Sequence, residues 1–185
     1  MRAWQVALLA GLSLASPTAV ALELCDAAAS RDGRRFVLAI DAWLAASPER
    51  VLAVLTDYEH LPDLHPSMLG SRVLARPASG VAEVATEFRN CILLFCRTVR
   101  RVERIRATER GLSARDLPGR GSFSAGRTEW GLQAAGAGTR LTWRAEITPD
   151  FWVPPFFGDA MLGKLQRTTE EMLAAVETRA GHDGG

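Results

Sequence analysis

The sequence predicts an α+β fold in which one curved antiparallel sheet lies against a long C-terminal helix, with two short helices after the first strand. Three observations predict it. Apolar side chains fall on alternate positions over 34–44 and, much later, apolar and polar side chains alternate over 141–147, both with the period of a half-buried strand. The stretch between Ser71 and Leu132 is interrupted repeatedly by turn-forming residues, as an antiparallel meander would be. The last apolar pattern, over 153–178, has helical spacing.

Before the first strand the chain carries the pattern of an export signal. Arg2 gives a positive start, an apolar run covers 4–14, and Ala19, Val20 and Ala21 form a small-x-small cleavage site. The run is shorter than the roughly 20 residues of a spanning helix, and Pro17 interrupts its continuation, which argues against a membrane anchor. Leu24 stands where a small residue would precede a lipid-modified Cys25, so lipid anchoring is not expected either. The expectation is a cleaved signal peptide over 1–21, one ligand-binding domain over 22–180 and a disordered tail over 181–185, in a periplasmic or secreted protein. A net charge of +1, which falls to 0 once the segment holding Arg2 is removed, gives nucleic acid nothing to recognise.

In the first strand Phe36, Leu38, Ile40, Ala42 and Leu44 share one face. Ser47, Pro48 and Glu49 then supply an N-cap, a pre-set first helical residue and an acid in the first turn, so a short helix starts at Pro48. Two prolines within 57–66 limit that stretch to another short helical turn, and the chain becomes extended near Met68. Strands follow over 72–76, 81–88, 97–108 and 112–117. Phe123 and Ala125 fall on one parity and Thr128, Trp130 and Leu132 on the other, which a bulge at Ala125 and Gly126 would reconcile while bending the sheet. Leu141, Trp143, Ala145 and Ile147 mark the last strand. In the helix that follows the proline-rich link, Phe157, Met161, Leu165, Thr168, Met172 and Val176 recur every three or four residues. At ~1.5 Å per residue it would span ~39 Å, enough to cross the whole sheet.

Three cysteines in an oxidising compartment cannot all pair within one chain. Cys91 and Cys96 bracket the tetrad Ile92, Leu93, Leu94 and Phe95. If the tetrad turns between two strands, the Cβ atoms can approach the roughly 4 Å of a disulfide; if it is one straight strand they stand about 17 Å apart. The compartment favours the hairpin and the disulfide, leaving Cys25 as a free thiol or an intermolecular partner.

The order of elements, with Ala46-Ser47-Pro48-Glu49-Arg50-Val51, Leu55-Thr56-Asp57-Tyr58-Glu59-His60-Leu61-Pro62, Ser71-Arg72-Val73-Leu74, Gly138-Thr139-Arg140-Leu141 and Pro149-Asp150-Phe151-Trp152-Val153-Pro154, resembles the START-like (SRPBCC, helix-grip) superfamily, with its polyketide cyclase/dehydrase, lipid-transport and coenzyme Q-binding branches. The resemblance implies about seven antiparallel strands gripping the terminal helix, with a cavity between them. A bowed sheet and a long helix meet at their ends more readily than in the middle, and an apolar gap there excludes water and accepts an apolar guest. The candidate wall is Tyr58, Leu61, Met68, Phe88, Phe123, Trp130, Trp143, Phe157, Met161, Leu165 and Met172. For any single one of these, filling a solid core is the commoner role; the flexible thioethers of Met161 and Met172 suit a pocket.

Two polar features compete for chemistry. Asp57, Tyr58, His60, Asp63 and His65 crowd together, but the prolines mark a surface segment and no third well-spaced metal ligand follows, so the structural reading is preferred. Arg97, Arg100, Arg101, Arg104, Arg106 and Arg110 read first as an outer ladder paired to acids such as Glu83 and Glu87. The sharper alternative turns Arg101 inward to anchor a carboxylate or phosphate headgroup, or docks the patch on anionic lipid. The link Phe151, Trp152, Phe156 and Phe157 is a packed junction, a gate or a tip in transient contact with a membrane. The expected function is binding or carriage of a hydrophobic small molecule or lipid (fatty acid, quinone or polyketide-like) without a cofactor. The alternatives are a cyclase or dehydratase using Tyr58, His60 or an inward arginine, and an envelope interaction module using the arginine face; nothing in the sequence specifies an oligomeric state.

Overall fold

A computed structural model describes residues 22–92, 95–154 and 157–182. The expected signal over 1–21, Leu93 and Leu94 of the tetrad, Phe156 of the aromatic link and residues 183–185 of the expected tail lie outside the described residues. The chain forms strands β1 (Glu23–Asp32) and β2 (Arg35–Leu44), helix α1 (Pro48–Thr56), a 3₁₀ segment (Tyr58–Leu64), strands β3 (Met68–Ala78), β4 (Val81–Ile92), β5 (Phe95–Thr108), β6 (Gly111–Asp116), β7 (Phe123–Ala135) and β8 (Gly138–Pro149), and helix α2 (Gly158–His182). All strands lie in one sheet in the order β1-β2-β8-β7-β6-β5-β4-β3, each antiparallel to its neighbours.

The sheet has eight strands, one more than expected. β1 lies along the free edge of β2 and is mostly exposed. Its sequence, Glu-Leu-Cys-Asp-Ala-Ala-Ala-Ser-Arg-Asp, has no apolar alternation and few β-branched residues, so its only local signal is the Asp32-Gly33 turn, where Gly33 has φ 57. Backbone pairing to the open edge of a well-patterned neighbour holds it extended. β2 follows its pattern closely, with Phe36, Leu38, Ile40, Ala42 and Leu44 all buried.

Helix α1 starts at Pro48 behind Ser47 and buries Val51, Val54 and Leu55. β3 runs through Pro77 to Ala78, and its turn is confined to Ser79 and Gly80. The register of β7 slips between Phe123 and Ala125, so the bulge sits at Ser124, just before the expected place. Helix α2 starts at Gly158 rather than at Val153, because the consecutive prolines 154 and 155 keep the preceding residues out of helical geometry. It continues through Gly181 to His182, into the segment expected to be a disordered tail. Its 25 residues span about 37 Å across the concave face. Between sheet and helices lies the apolar core, to which β2, β8, α1 and the second half of α2 contribute most of the fully buried side chains. Among the described residues no helix is long and apolar enough to cross a membrane.

Candidate functional site

Side-chain alternation carries one row from each strand toward the concave face. Even positions of β4 (Val84, Thr86, Phe88, Asn90) and odd positions of β5 (Val99, Arg101, Glu103, Ile105) share that face with Leu112 and Ala114 of β6, Phe123, Thr128 and Trp130 of β7, and Trp143, Ala145 and Ile147 of β8. Tyr58, Leu61 and Leu64 of the 3₁₀ segment and Leu165, Thr168, Thr169 and Met172 of α2 complete the lining. They line about 210 Å³ of space, and most of its wall is apolar. Trp130 and Trp143 meet edge to face, with centroids 6.0 Å apart.

One patch of this wall is charged. Arg101 reaches Asp116 in a side-on pair, Nε donating to Oδ1 at 3.1 Å and Nη2 to Oδ2 at 2.8 Å. Nη2 also stands 2.9 Å from Oε1 of Glu103. The Asp116 side chain is 2% exposed and that of Glu103 11%. Burial pushes the Glu103 carboxyl above its usual range, Arg101 opposes this, and the neighbouring Asp116 adds to it. Burial disfavours the Arg101 charge, but Glu103 and Asp116 more than offset it. The guanidinium also lies 5.4 Å from the Phe123 ring centroid. Gly126 makes the arrangement possible: a Cβ there would fall 1.6 Å from Asp116 Oδ2 and 3.1 Å from Arg101 Nη2. Among the lining residues, Thr86 Oγ1, Thr128 Oγ1, Thr168 Oγ1 and Trp143 Nε1 are buried without a hydrogen-bond partner among the described residues.

The structure brings Tyr58, Leu61, Met68, Phe88, Arg101, Phe123, Trp130, Trp143, Leu165 and Met172 together around the cavity. Phe157 and Met161 stand apart from it: Met161 packs partly buried against the core and Phe157 is half-buried at the link. Arg101 does turn inward, but onto two carboxylates of its own chain, so it is not a vacant anchor for an anionic headgroup. Glu103, Asp116 and the lining threonines were not singled out by the sequence. The parity of β5, which puts residues 101 and 103 on one face, was the available signal.

The histidine-rich segment lies on the other side of its 3₁₀ turn. His60 Nδ1 bonds Asp57 at 2.8 Å on the surface, which raises its pKa. Arg179 of α2 reaches Asp57 at 3.1 Å and the His60 carbonyl at 3.2 Å, while His65 Nε2 meets Glu171 of α2 at 2.8 Å. These contacts clasp the terminal helix to the 3₁₀ segment. On the convex face Glu83 receives Arg104 and Arg120, each at 2.7 Å, and its carboxyl is held low by them. Arg97 stacks on Phe151 at 4.1 Å, and Trp152 is 74% exposed. Cys91 and Cys96 face each other across β4 and β5 and are disulfide-bonded, while Cys25 is exposed and free. Among the described residues no group of three or more His, Cys, Asp or Glu side chains is placed to hold a metal ion.

Comparison with known proteins adds three findings. Residues 40–181 match the sequence model of a family described as polyketide cyclase / dehydrase and lipid transport. No curated protein shows significant similarity to the sequence. Solved structures share the fold. A START superfamily protein from Mycobacterium smegmatis aligns with TM-score 0.63 at 18% identity, over 79% of this chain and 97% of its own. A STAR-related lipid transfer protein from Xanthomonas axonopodis aligns with TM-score 0.61 at 14% identity, over 83% and 98%. The Zhui aromatase/cyclase from Streptomyces sp. R1128 aligns with TM-score 0.58 at 17% identity, over 82% and 99%.

Proposed function

Because this chain belongs to the polyketide cyclase / dehydrase and lipid transport family, we propose that it binds and carries an apolar small molecule or lipid in the cavity between sheet and terminal helix. One observation carries the reading: about 210 Å³ of space, walled mainly by aliphatic and aromatic side chains, lies under α2 where a solid core would otherwise be packed. Fatty acids, quinones and polyketide-like molecules are the ligand classes considered. Export to the periplasm or beyond is part of the proposal, supported by the Arg2, apolar-run and Ala19-Val20-Ala21 pattern and by the Cys91–Cys96 pair.

Native mass spectrometry of gently purified protein tests it. A co-purifying apolar molecule, exchangeable with a polarity-sensitive dye that brightens on uptake, is the expected result. Consistently empty spectra together with no dye uptake would overturn the reading.

A second reading, catalysis on a bound polyketide-like substrate, is favoured by the Glu103 carboxyl, which lines the cavity and whose pKa is raised by burial, as suits a proton donor. Under that reading Glu103→Gln abolishes turnover while leaving binding intact. Under the carrier reading it changes only affinity.

A further inference from the structure

The arginines of β5 do not all fit the outer ladder expected of them. Arg104 stands opposite Glu83 and pairs with it, but Arg106 lies between Val81 and Ser113, neither of them an acid. Arg106 and Arg110 make no ion pair or side-chain hydrogen bond among the described residues. Both border a hollow on the convex face, about 400 Å³ of open space that shares only Leu112 and Trp130 with the cavity lining.

Strand pairing builds this hollow from two rows that cross β5, β6, β7 and β8. Arg106, Ser113, Glu129 and Arg144 form the first, and Thr108, Gly111, Gly131 and Thr142 the second. The second row holds no long side chain, so it is the floor of a trough. Gly111 adopts φ 129, and a Cβ on it would fall 1.9 Å from the Trp130 carbonyl oxygen, while one on Gly131 would fall 2.5 Å from Thr142 Oγ1. Arg110, in the turn between β5 and β6, closes one end.

Charge around the trough is out of balance. Three arginines line it against a single carboxylate, Glu129, which Arg127 engages from outside the lining. Arg144 stands 3.6 Å from Asp41, beyond hydrogen-bond distance. Guanidinium forks match the oxygens of a phosphate or sulfate, and the hydroxyls of Ser113 and Thr142 add donors beside them. The backbones of Arg106 and Arg144 are three strand spacings apart, ~14 Å, so an anion that engages both carries its charge on more than one group. A bilayer has nothing apolar to grip here, because Leu112 and Trp130 belong by parity to the concave face.

We infer that the trough is a binding site for a small, multiply charged oxyanion, a molecule bearing phosphate or sulfate groups, and that it works independently of whatever the cavity holds.

Equilibrium dialysis of the full chain against radiolabelled inorganic pyrophosphate at low ionic strength tests this. One saturable site is expected. The Arg106→Ala, Arg110→Ala double variant should weaken it roughly tenfold or more. Arg35→Ala removes an outer-face arginine that pairs with Glu146 away from the trough, and should change it by less than about twofold. Melting curves check that the variants remain folded. No saturable binding to the wild type overturns the site, and equal weakening by Arg35→Ala overturns it too, by showing attraction to the whole face. Co-sedimentation with phosphatidylglycerol vesicles separates the remaining source. Vesicle binding that pyrophosphate does not compete away would make the face a membrane patch and likewise overturn the inference.

Discussion

The two halves of the concave face are built from the same strand chemistry and end up unlike each other. On β2 and the start of β8, Phe36, Ala42, Leu44 and Leu141 are 0% exposed, and Leu173, Val176 and Ala180 of α2 are buried as well. On β4 to β7 the corresponding rows carry Thr86, Arg101, Glu103, Asp116 and Thr128, and the first half of α2 presents Met161, Leu162 and Leu165 only partly buried. One half is filled and the other is hollow. Charged side chains that need hydrogen bonds from one another cannot interdigitate like aliphatic ones, so placing them on the inner face keeps that half from closing onto the helix. The filled half stabilises the fold, and the hollow half is available for a guest.

The strongest way to break this comparison is to truncate one leucine in each half. Leu141→Ala should cost about 3–5 kcal/mol, because its surroundings are fully packed, whereas Leu112→Ala, which already borders the cavity, should cost about 2 kcal/mol. Urea unfolding measures both, and equal losses would mean the hollow half is packed as tightly as the other. Next in size is Asp116→Ala, expected to cost about 3 kcal/mol by leaving Arg101 inside without its side-on partner. Replacing Arg101, Glu103 and Asp116 together by leucine should be neutral or stabilising. Such a result would separate the cluster's role in the cavity from any role in holding the fold. Gly126→Ala should cost less than Asp116→Ala, about 1–2 kcal/mol, since its Cβ displaces the Asp116 carboxylate from Arg101; a melting curve matching the wild type would refute that contact.

How much of this was legible in the sequence follows the same division. The filled half was easy to read, because Phe36, Leu38, Ile40, Ala42 and Leu44 fall on every second position, Leu141 to Ile147 alternate strictly, and a buried face leaves a period-two record. The aromatic wall was legible too, since Phe123, Trp130 and Trp143 fall on faces fixed by neighbours of known parity. β1 left no record, because an exposed edge strand held by backbone pairing places little demand on its side chains. The polar cluster was hidden for another reason. Arg101 sits among five other arginines, and alternation alone does not say which face of β5 is the concave one. That choice depends on the partnership with Asp116 on β6 and on the missing Cβ of Gly126 on β7, contacts that join residues on different strands. A start for α2 at Val153 was expected from apolar spacing that continues through the link, and the prolines overrode it.

The smallest effect separates the two halves by pH rather than by size. Burial holds the folded Glu103 carboxyl above the ordinary value of 4.5. Below that value both folded and unfolded chains keep its proton, and pH has no leverage through this group. As pH rises past it, the unfolded chain releases the proton while the folded chain retains it, so the folded state binds more protons and stability falls until the folded carboxyl also ionises. Glu103→Gln is neutral at every pH and removes that slope. Urea midpoints across the acid-to-neutral range should therefore coincide for variant and wild type in acid, then separate with the variant ahead as pH rises. The opposite separation, with the wild type gaining on the variant as pH increases, would mean that Glu103 is ionised and paired to Arg101. The hollow half would then carry a fixed negative charge.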